Sequence, residues 1–455
     1  MSSLLARFSL LSRPGAAPFF LAIFLNATID LGHKITIQNV IFKVHDGAEQ
    51  VVLTAIVNAL ILLPYVLFFI PIGQVANRMP KPILMRITAW ASVAMLSLLM
   101  FCYSEGWFWL AFSVTFLMSV QSAFYSPAKL GYLKTLFGEK LLPAANGLAQ
   151  SMAIIGILLG TLLFSIGFES IYSDAAAAMA PLSSKDSVLV QMPPLLFALF
   201  ALVVLQLWAV YRVPVLDERP AAQVPGAVRP AVQKTAAPIT AAHTTAASQQ
   251  AGYSGATARA ILSRRYFLFP ILGLALFWTA GQAMLAVFPA YAKAVANIDN
   301  TAVIQAILTC TGLGIIVGAS IVGRLQRSPY NLSLVPAGIF LMIAGLFAVL
   351  FLRSAPLFAL LYFALGLASG LLVVPLNAFI QARSSQGNIG SVIATSNLFQ
   401  NIAMLGMVAV TIAMALAGFS PARLLWVLAI TATVAGVMLL APLKAVSEDS
   451  SVARL

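Results

Sequence analysis

Long apolar runs alternate with short polar segments along the chain. Twelve of these runs are long enough, most at about 20 residues, to cross the hydrocarbon core of a bilayer as helices. They cover residues 19–41, 51–75, 83–103, 107–127, 143–168, 192–211, 266–289, 302–323, 333–352, 356–380, 389–414 and 424–442. The pattern therefore predicts an all-α integral membrane protein with about twelve transmembrane helices.

One polar segment is much longer than the others and divides the runs into six and six. Residues 212–265 are rich in Ala, Pro, Thr and Gln. Such a composition buries too little apolar surface to fold, so it predicts a disordered linker. The predicted organisation is an N-terminal six-helix half at 1–211, the linker at 212–265, a C-terminal six-helix half at 266–443 and a tail at 444–455.

The composition excludes an ordinary soluble protein. Hydrophobic residues make up 61% of the chain and charged residues 9%, whereas a soluble domain contains roughly 25% charged residues. Arg7 and Arg13 precede the first apolar run, as in a secretory signal peptide. No cleavage motif follows, so the run is predicted to remain as the first helix. Cys102 and Cys310 lie in apolar runs, which favours buried thiols over a disulfide or a metal site.

The net charge of +13 is explained by membrane topology rather than by nucleic acid binding. If both termini are cytoplasmic, 20 of the 26 Lys and Arg residues lie in cytoplasmic segments and 5 in external loops, with Lys34 left inside a span. Such a distribution follows the positive-inside rule. The chain is therefore predicted to be a multi-pass protein of the bacterial inner membrane with cytoplasmic termini, and no nucleic acid partner is expected.

Motifs of enzyme chemistry are absent from the sequence. It contains no G-x-x-x-x-G-K-[ST], no G-x-S-x-G and no H-E-x-x-H. Each of the three histidines is followed five positions later by Gln or Ser, so a His-x4-Asp acyltransferase motif is missing as well. We expect no enzymatic activity, no catalytic residue, no metal and no cofactor.

Asp30 and Lys34 are the two charged residues that lie deep inside a predicted span. Four residues separate them, so they share one face of a helix. A charge at bilayer depth is costly unless it faces a cavity or a partner, and such residues are usually functional. The alternative is an intrahelical pair that only permits insertion. His33 lies beside them, either as a tuning group or as an ordinary polar contact.

Amide side chains recur in the predicted spans of both halves. The candidates for a polar lining are Gln121, Asn146, Gln150, Gln282, Asn377, Asn397, Gln400 and Asn401. Internal repeats of transporters place substrate groups at corresponding positions of the two halves. For any single residue, interhelical hydrogen bonding is the alternative. Trp278, four residues before Gln282, either contacts a headgroup or packs against lipid. Gly156 and Gly160 form a G-x-x-x-G motif that indicates helix packing.

The loop after the second run reads Gly73-Gln-Val-Ala-Asn77-Arg78-Met-Pro-Lys81. This segment resembles the cytoplasmic gating motif of the major facilitator superfamily, G-x-x-x-D-R-x-G-R/K. Asn77 replaces the usual aspartate, which weakens the charge contacts expected of the motif. The fourth run lacks the embedded arginine of proton-coupled members, and the fifth lacks the Gly-Pro of drug antiporters. The resemblance implies the two six-helix halves of that superfamily.

Three further motifs carry a more specific resemblance. Asp30-Leu-Gly-His-Lys34 is similar to the D-N-x-x-K in the first helix of bacterial lysophospholipid transporters. Tyr125-Ser-Pro-Ala-Lys129, followed by Leu142-Pro-Ala-Ala-Asn146-Gly147, is similar to F-x-P-A-K and L-x-x-A-N-G. Gly390-Ser-Val-Ile-Ala-Thr-Ser-Asn397 is similar to the G-x-x-x-A-x-x-N that opens their eleventh helix.

The resemblance implies a secondary transporter or flippase that moves lysophospholipid, notably lysophosphatidylethanolamine, across the inner membrane by alternating access. Lys34 would complement the phosphate of the headgroup and Asp30 its amine. The family works with an acyltransferase, and here a separate enzyme at the cytoplasmic face is implied. The alternatives are an exporter of amphiphilic drugs and a membrane scaffold or sensor without transport.

Overall fold

The computed structural model describes residues 12–216, 255–325, 328, 330–384 and 389–448. These residues form helices and connecting segments, without a strand among them. The N-terminal half contains α1 (Ala16–Val44), α2 (Gly47–Leu67), α3 (Phe69–Arg78), α4 (Lys81–Glu105), α5 (Phe108–Ala177), α6 (Lys185–Leu189) and α7 (Pro193–Arg212). The C-terminal half contains α8 (Gly255–Leu262), α9 (Arg265–Ala296), α10 (Thr301–Leu325), α11 (Val335–Ala348), α12 (Ala355–Arg383), α13 (Ile389–Leu416) and α14 (Pro421–Glu448).

The predicted all-α membrane fold is confirmed. Within the described residues, eleven helical segments are long and apolar enough to cross a membrane. Two of them are the arms of α5, Phe108–Gly138 and Leu148–Ala177. The remaining predicted run, 333–352, forms the shorter apolar segment Val335–Phe351, in which a 3₁₀ turn follows α11.

Two predicted helix boundaries are wrong. The run at 51–75 is not one helix, because α2 ends at Leu67 and the short α3 begins at Phe69. Pro71 has no N–H to donate to the carbonyl of Leu67, which accounts for the break. The predicted loop between the fourth and fifth runs is largely helical, and the chain leaves the helical conformation at Gly138, with φ +71° and ψ 172°. A positive φ of this kind favours glycine.

The predicted linker is structured at both ends. Val213 is fully buried, and its carbonyl accepts a hydrogen bond of 3.1 Å from Arg86 Nη2. At the other end, α8 forms inside the predicted linker. The predicted disorder of residues 217–254 lies outside the described residues. The predicted tail also begins as helix, because α14 continues to Glu448.

The apolar cores show how the halves meet. At the end predicted to be external, one cluster joins Phe42 and Val51 of the N-terminal half to Met284 and Val287 of the C-terminal half. At the end predicted to be cytoplasmic, each half has its own cluster, as around Tyr132 in one and around Phe379 in the other. The halves therefore share a core at one end of the bundle and keep separate cores at the other.

Small residues bring particular helices into close contact, as the G-x-x-x-G motif predicted. Gly156 and Gly160, in the second arm of α5, face α1, and a Cβ on Gly156 would lie 2.5 Å from the carbonyl oxygen of Phe24. In the C-terminal half, a Cβ on Gly366 of α12 would overlap the carbonyl oxygen of Thr311 on α10. These contacts fix α1 against α5, and α10 against α12.

Candidate functional site

Asp30 lies at the centre of α1 and is held by two neutral donors. Asn26 Nδ2 donates to Asp30 Oδ2 over 2.9 Å, and the Ser122 hydroxyl of α5 donates to the same oxygen. Asn26 precedes Asp30 by four residues, so the two side chains share one face of α1. A carboxylate inside a membrane protein needs such partners, because bilayer hydrocarbon offers none.

The hydrogen bonds extend from Asp30 across three helices. Asn26 Oδ1 accepts from Gln121 Nε2 of α5 at 3.3 Å and from Gln206 Nε2 of α7 at 3.1 Å. Asn26, Gln121 and Gln206 are all buried, the last of them fully. We call Asn26, Asp30, Gln121, Ser122 and Gln206 the Asp30 cluster. It lies entirely within the N-terminal half.

The predicted pair of Asp30 and Lys34 is not an ion pair. Among the described residues, Lys34 has neither a hydrogen bond nor an ion-pair partner, and no ion pair joins it to Asp30. The i, i+4 spacing places both side chains on one face, but Asp30 turns toward Asn26 and α5, whose donors satisfy it. Lys34 is therefore left half-buried with its ammonium unpaired.

His33 belongs to the packing of the N-terminal half. It is 1% exposed, and its two ring nitrogens lie 3.1 Å from the Tyr103 hydroxyl and 3.2 Å from Thr115 Oγ1. Both polar atoms of the ring thus contact neighbouring helices rather than the Asp30 cluster. This arrangement matches the ordinary polar contact, one of the two interpretations that the sequence allowed.

The other predicted lining residues do not converge on Asp30, with the exception of Gln121. Gln150 is exposed, and the side chain of Asn146 lies outside the described set. In the C-terminal half, Asn377 and Asn401 donate to the carbonyls four residues earlier in their own helices, at 3.0 Å each. The rest are placed as follows: Gln400 bonds to Ser396 of the same helix, Gln282 is half-buried with an unpartnered oxygen, and Asn397 and Trp278 are exposed.

The predicted gating motif lies where α3 ends and α4 begins. Arg78 is the last residue of α3 and Lys81 the first of α4, while Gly73 and Asn77 belong to α3. Arg78 is exposed, and Lys81 approaches Gly131 of α5. The side chain of Asn77 lies outside the described set.

Sequence reasoning missed Asn26, Ser122 and Gln206 as members of the cluster. Asn26 carried a usable signal, because its spacing from Asp30 equals the spacing from Asp30 to Lys34. Ser122 and Gln206 carried none, since their approach depends on how α5 and α7 pack against α1. Among the described residues, no cluster of acidic, histidine and cysteine side chains is suited to a metal.

A second polar group joins the two halves at the end predicted to be external. Lys43 of α1 forms an ion pair with Glu169 of α5 at 2.7 Å and donates to the carbonyl of Asp299 at 2.8 Å. Glu169 in turn accepts from the backbone N–H of Thr301 at 2.9 Å and from its hydroxyl at 2.7 Å. Asp299 and Thr301 belong to the C-terminal half, so these contacts cross between halves.

Lys293 of α9 makes the reciprocal contact. Its ammonium lies 2.7 Å from Asp46 Oδ1 and 2.8 Å from the Phe42 carbonyl, both in the N-terminal half. Lys43 and Lys293 thus occupy the same end of α1 and α9, and each binds the opposite half. We call the contacts of Lys43, Glu169, Thr301, Lys293 and Asp46 the inter-half clasp.

Comparison with known proteins gives consistent similarities. The family model of the Major Facilitator Superfamily matches residues 19–407. The Lysophospholipid transporter LplT of Photorhabdus laumondii subsp. laumondii is 28% identical over 357 residues, which cover 77% of this chain and 77% of that protein. The LplT of Escherichia fergusonii is 27% identical over 348 residues, 76% of each. The similarity that the motifs predicted is confirmed.

Two solved structures share the fold. One is a bacterial homologue of the human lysosomal transporter Spinster, inward-facing and unoccupied, with a TM-score of 0.65 and 14% identity over 96% of this chain and 98% of that chain. The other is the POT family transporter PepTSo, with a TM-score of 0.64 and 12% identity over 95% and 98%.

Proposed function

Because the chain belongs to the Major Facilitator Superfamily, we propose that it is a secondary transporter that moves lysophospholipid across the bacterial inner membrane by alternating access. The relatives named as lysophospholipid transporters support this substrate class. Within the class, we propose lysophosphatidylethanolamine. The reacylation that the resemblance implies would be carried out by a separate acyltransferase at the cytoplasmic face.

The observation that carries the proposal is a carboxylate and an unpaired ammonium on one face of α1. Asp30 is held in place by neutral donors, so its charge is not cancelled by a direct ion pair. Lys34 has no partner among the described residues. A phosphoethanolamine headgroup brings one anion and one cation, which would complement Lys34 and Asp30 respectively. Such a ligand would satisfy two charges that are expensive to keep alone at this depth.

The contacts between halves support alternating access. The inter-half clasp and the shared core close the predicted external end. The cores at the opposite end are separate. Rocking of one half against the other would break the clasp and bring the cytoplasmic ends together, which is the motion described for transporters built from repeats. The positive-inside count supports cytoplasmic termini.

The decisive experiment measures uptake of lysophosphatidylethanolamine into vesicles that contain the purified protein. Asp30→Asn and Lys34→Met should each reduce uptake by at least about tenfold, the equivalent of one lost hydrogen bond to a charged group at roughly 1.5–3 kcal/mol. The double variant restores neutrality, so it should fold well and still fail to transport.

Asp186→Asn is the matched control, because this aspartate is exposed on the short helix α6. Its uptake should equal that of the wild type. Near wild-type uptake by a correctly inserted double variant would refute the assignment of the headgroup site. Wild-type vesicles that move an amphiphilic dye but no lysophospholipid would indicate drug export instead, and movement of neither would favour the scaffold alternative.

A further inference from the structure

Two arginines lie on the surface of the N-terminal half, where α4 and α7 pack together at the end predicted to be cytoplasmic. Arg86 is in the second turn of α4, and Arg212 is the last residue of α7. Arg86 Nη2 lies 3.5 Å from the carbonyl oxygen of Tyr211 and 3.1 Å from that of Val213, the residues on either side of Arg212. The two arginines therefore meet at the same turn of backbone.

Three aromatic side chains flank these arginines and face away from the protein. Trp90, Trp208 and Tyr211 are 52%, 50% and 53% exposed. The guanidinium of Arg86 lies 4.8 Å from the centre of the Tyr211 ring, and that of Arg212 lies 5.2 Å from the Trp208 ring. Trp90 Nε1 donates to the Tyr211 hydroxyl at 3.2 Å. We call Arg86, Trp90, Trp208, Tyr211 and Arg212 the interfacial patch.

The interfacial patch carries two positive charges that no acid neutralises. Among the described residues, neither arginine has an ion-pair partner. The hydrogen bonds of Arg86 go to backbone carbonyls at the end of α7, including that of Val210 at 3.4 Å, and these acceptors are uncharged. Arg212 is exposed and makes no hydrogen bond within the described part of the chain. Its N–H groups are therefore available to an anion.

The exposed surface next to the arginines becomes apolar toward the membrane centre. Each tryptophan of the patch lies four residues, or about one helical turn, deeper than the arginine of its own helix. Beyond the tryptophans, the exposed side chains of Val204 on α7 and Leu98 on α4 continue this surface. Tryptophan and tyrosine are enriched at the level of the lipid headgroups, and arginine reaches that level by snorkelling. The surface therefore offers donors to a phosphate and an apolar face to the acyl chains below it.

We infer that the interfacial patch binds an anionic phospholipid of the cytoplasmic leaflet, with the phosphate on the two arginines. Positive charge without an acidic partner favours a headgroup that is negative overall, such as phosphatidylglycerol. A zwitterionic headgroup would bring an ammonium for which the described patch has no carboxylate. The headgroup site proposed at Asp30 and Lys34 differs, because it offers both charges. The patch therefore holds a lipid of the surrounding membrane rather than the transported substrate.

Native mass spectrometry of the purified protein in detergent tests the inference through affinity. The wild type should bind phosphatidylglycerol at a saturable site, and more tightly than phosphatidylethanolamine with the same acyl chains. Arg212→Gln, which breaks no hydrogen bond within the described protein, should weaken phosphatidylglycerol binding about fivefold, the effect of one arginine near an anionic membrane surface. Arg212→Lys keeps the charge and should retain most of the affinity. Arg264→Gln is the matched control and should change nothing, because this exposed arginine also lies over a tyrosine ring, that of Tyr266, but in the C-terminal half.

Fluorescence quenching locates the bound lipid. Phosphatidylglycerol with brominated acyl chains should quench the wild-type protein saturably, and the double variant Trp90→Phe, Trp208→Phe should lose most of that quenching. Equal wild-type affinity for the two lipids, or unchanged affinity in Arg212→Gln, would mean an aromatic belt without lipid preference and would overturn the inference. Displacement of the lipid by inorganic phosphate would mean a site for a soluble anion and would overturn it as well. Neither measurement involves uptake, so a failure here is distinct from a failure of the proposed function.

Discussion

Helices α1 and α9 end alike and differ at their centres. Lys43 and Lys293 lie near their ends, and each lysine binds the opposite half. Counted back from these lysines, the positions of Asn26, Asp30 and Lys34 in α1 are occupied in α9 by Leu276, Ala280 and Met284. The two halves thus contact each other through corresponding lysines, while at these three positions α1 carries an amide and two charged residues and α9 carries apolar ones.

The hydrogen bonds repeat this difference. In the N-terminal half, the amides of Gln121 and Gln206 donate across helices to Asn26, which in turn donates to Asp30. In the C-terminal half, Asn377 and Asn401 bond only to carbonyls of their own helices. Amide side chains therefore form an interhelical network in one half and bond within their own helices in the other. Amide content alone does not reveal which half forms such a network.

The largest effect is expected from placing a charge at the centre of α9, where it would remove the difference from α1. Ala280→Asp puts a carboxylate at the α9 position that matches Asp30, at a site that is 4% exposed and apolar. We expect a loss of about 3 kcal/mol of stability, since an aspartate at the centre of a membrane helix is disfavoured by that amount. Thermal unfolding in detergent measures it. Ala280→Asn is the control that keeps size without charge, and equal stability of the two variants would contradict the expectation.

A smaller loss of stability is expected when one amide is removed, and it should be larger in the N-terminal half than in the C-terminal half. Asn26→Leu leaves Gln121 and Gln206 without their acceptor and Asp30 without one donor. Because unsatisfied buried groups are costly, the free energy of unfolding should fall by about 2 kcal/mol. Asn377→Leu removes a single bond within one helix and should cost less than about 1 kcal/mol. Denaturation of both variants in the same detergent measures the two losses. Similar losses would show that the N-terminal network contributes no more to the free energy of unfolding than a bond within one helix.

The smallest effect concerns two glycines at the centres of α1 and α9. Nothing lies within 4 Å of a Cβ built on Gly281, so Gly281→Ala should stabilise α9 by about 0.5 kcal/mol through its helix propensity. A Cβ on Gly32 of α1 would lie 2.6 Å from Leu199 and 2.9 Å from Phe164. Gly32→Ala should therefore destabilise the protein by about 1 kcal/mol. Opposite signs in the unfolding midpoints are the expected result, and a shared sign would contradict it.

Much of the fold could be predicted from the sequence, because bilayer thickness sets the length of each spanning helix and apolar composition shows which segments cross the membrane. The misplaced boundaries arose where a single residue decides the backbone, as at Pro71 and Gly138. At the site, periodicity along α1 identified Asp30 and Lys34 and could have identified Asn26. It could not predict that Asp30 would turn toward Ser122, because that choice depends on how α5 packs across α1. The same limit explains why the sequence did not show that Asn377, Gln400 and Asn401 bond within their own helices.

Glu169 has a consequence for the energy of the cycle. Its carboxylate accepts from the backbone N–H and the hydroxyl of Thr301, the first residue of α10, so one half satisfies a free N–H at the start of a helix of the other. Asn300 Oδ1 caps the same helix from its own half by accepting from the N–H of Val303. A hydrogen bond to a charged group contributes roughly 1.5–3 kcal/mol. On the proposed cycle, separation of the halves at this end breaks the Glu169 bonds and leaves the Thr301 N–H to water, so the resting preference of the transporter depends partly on the start of α10.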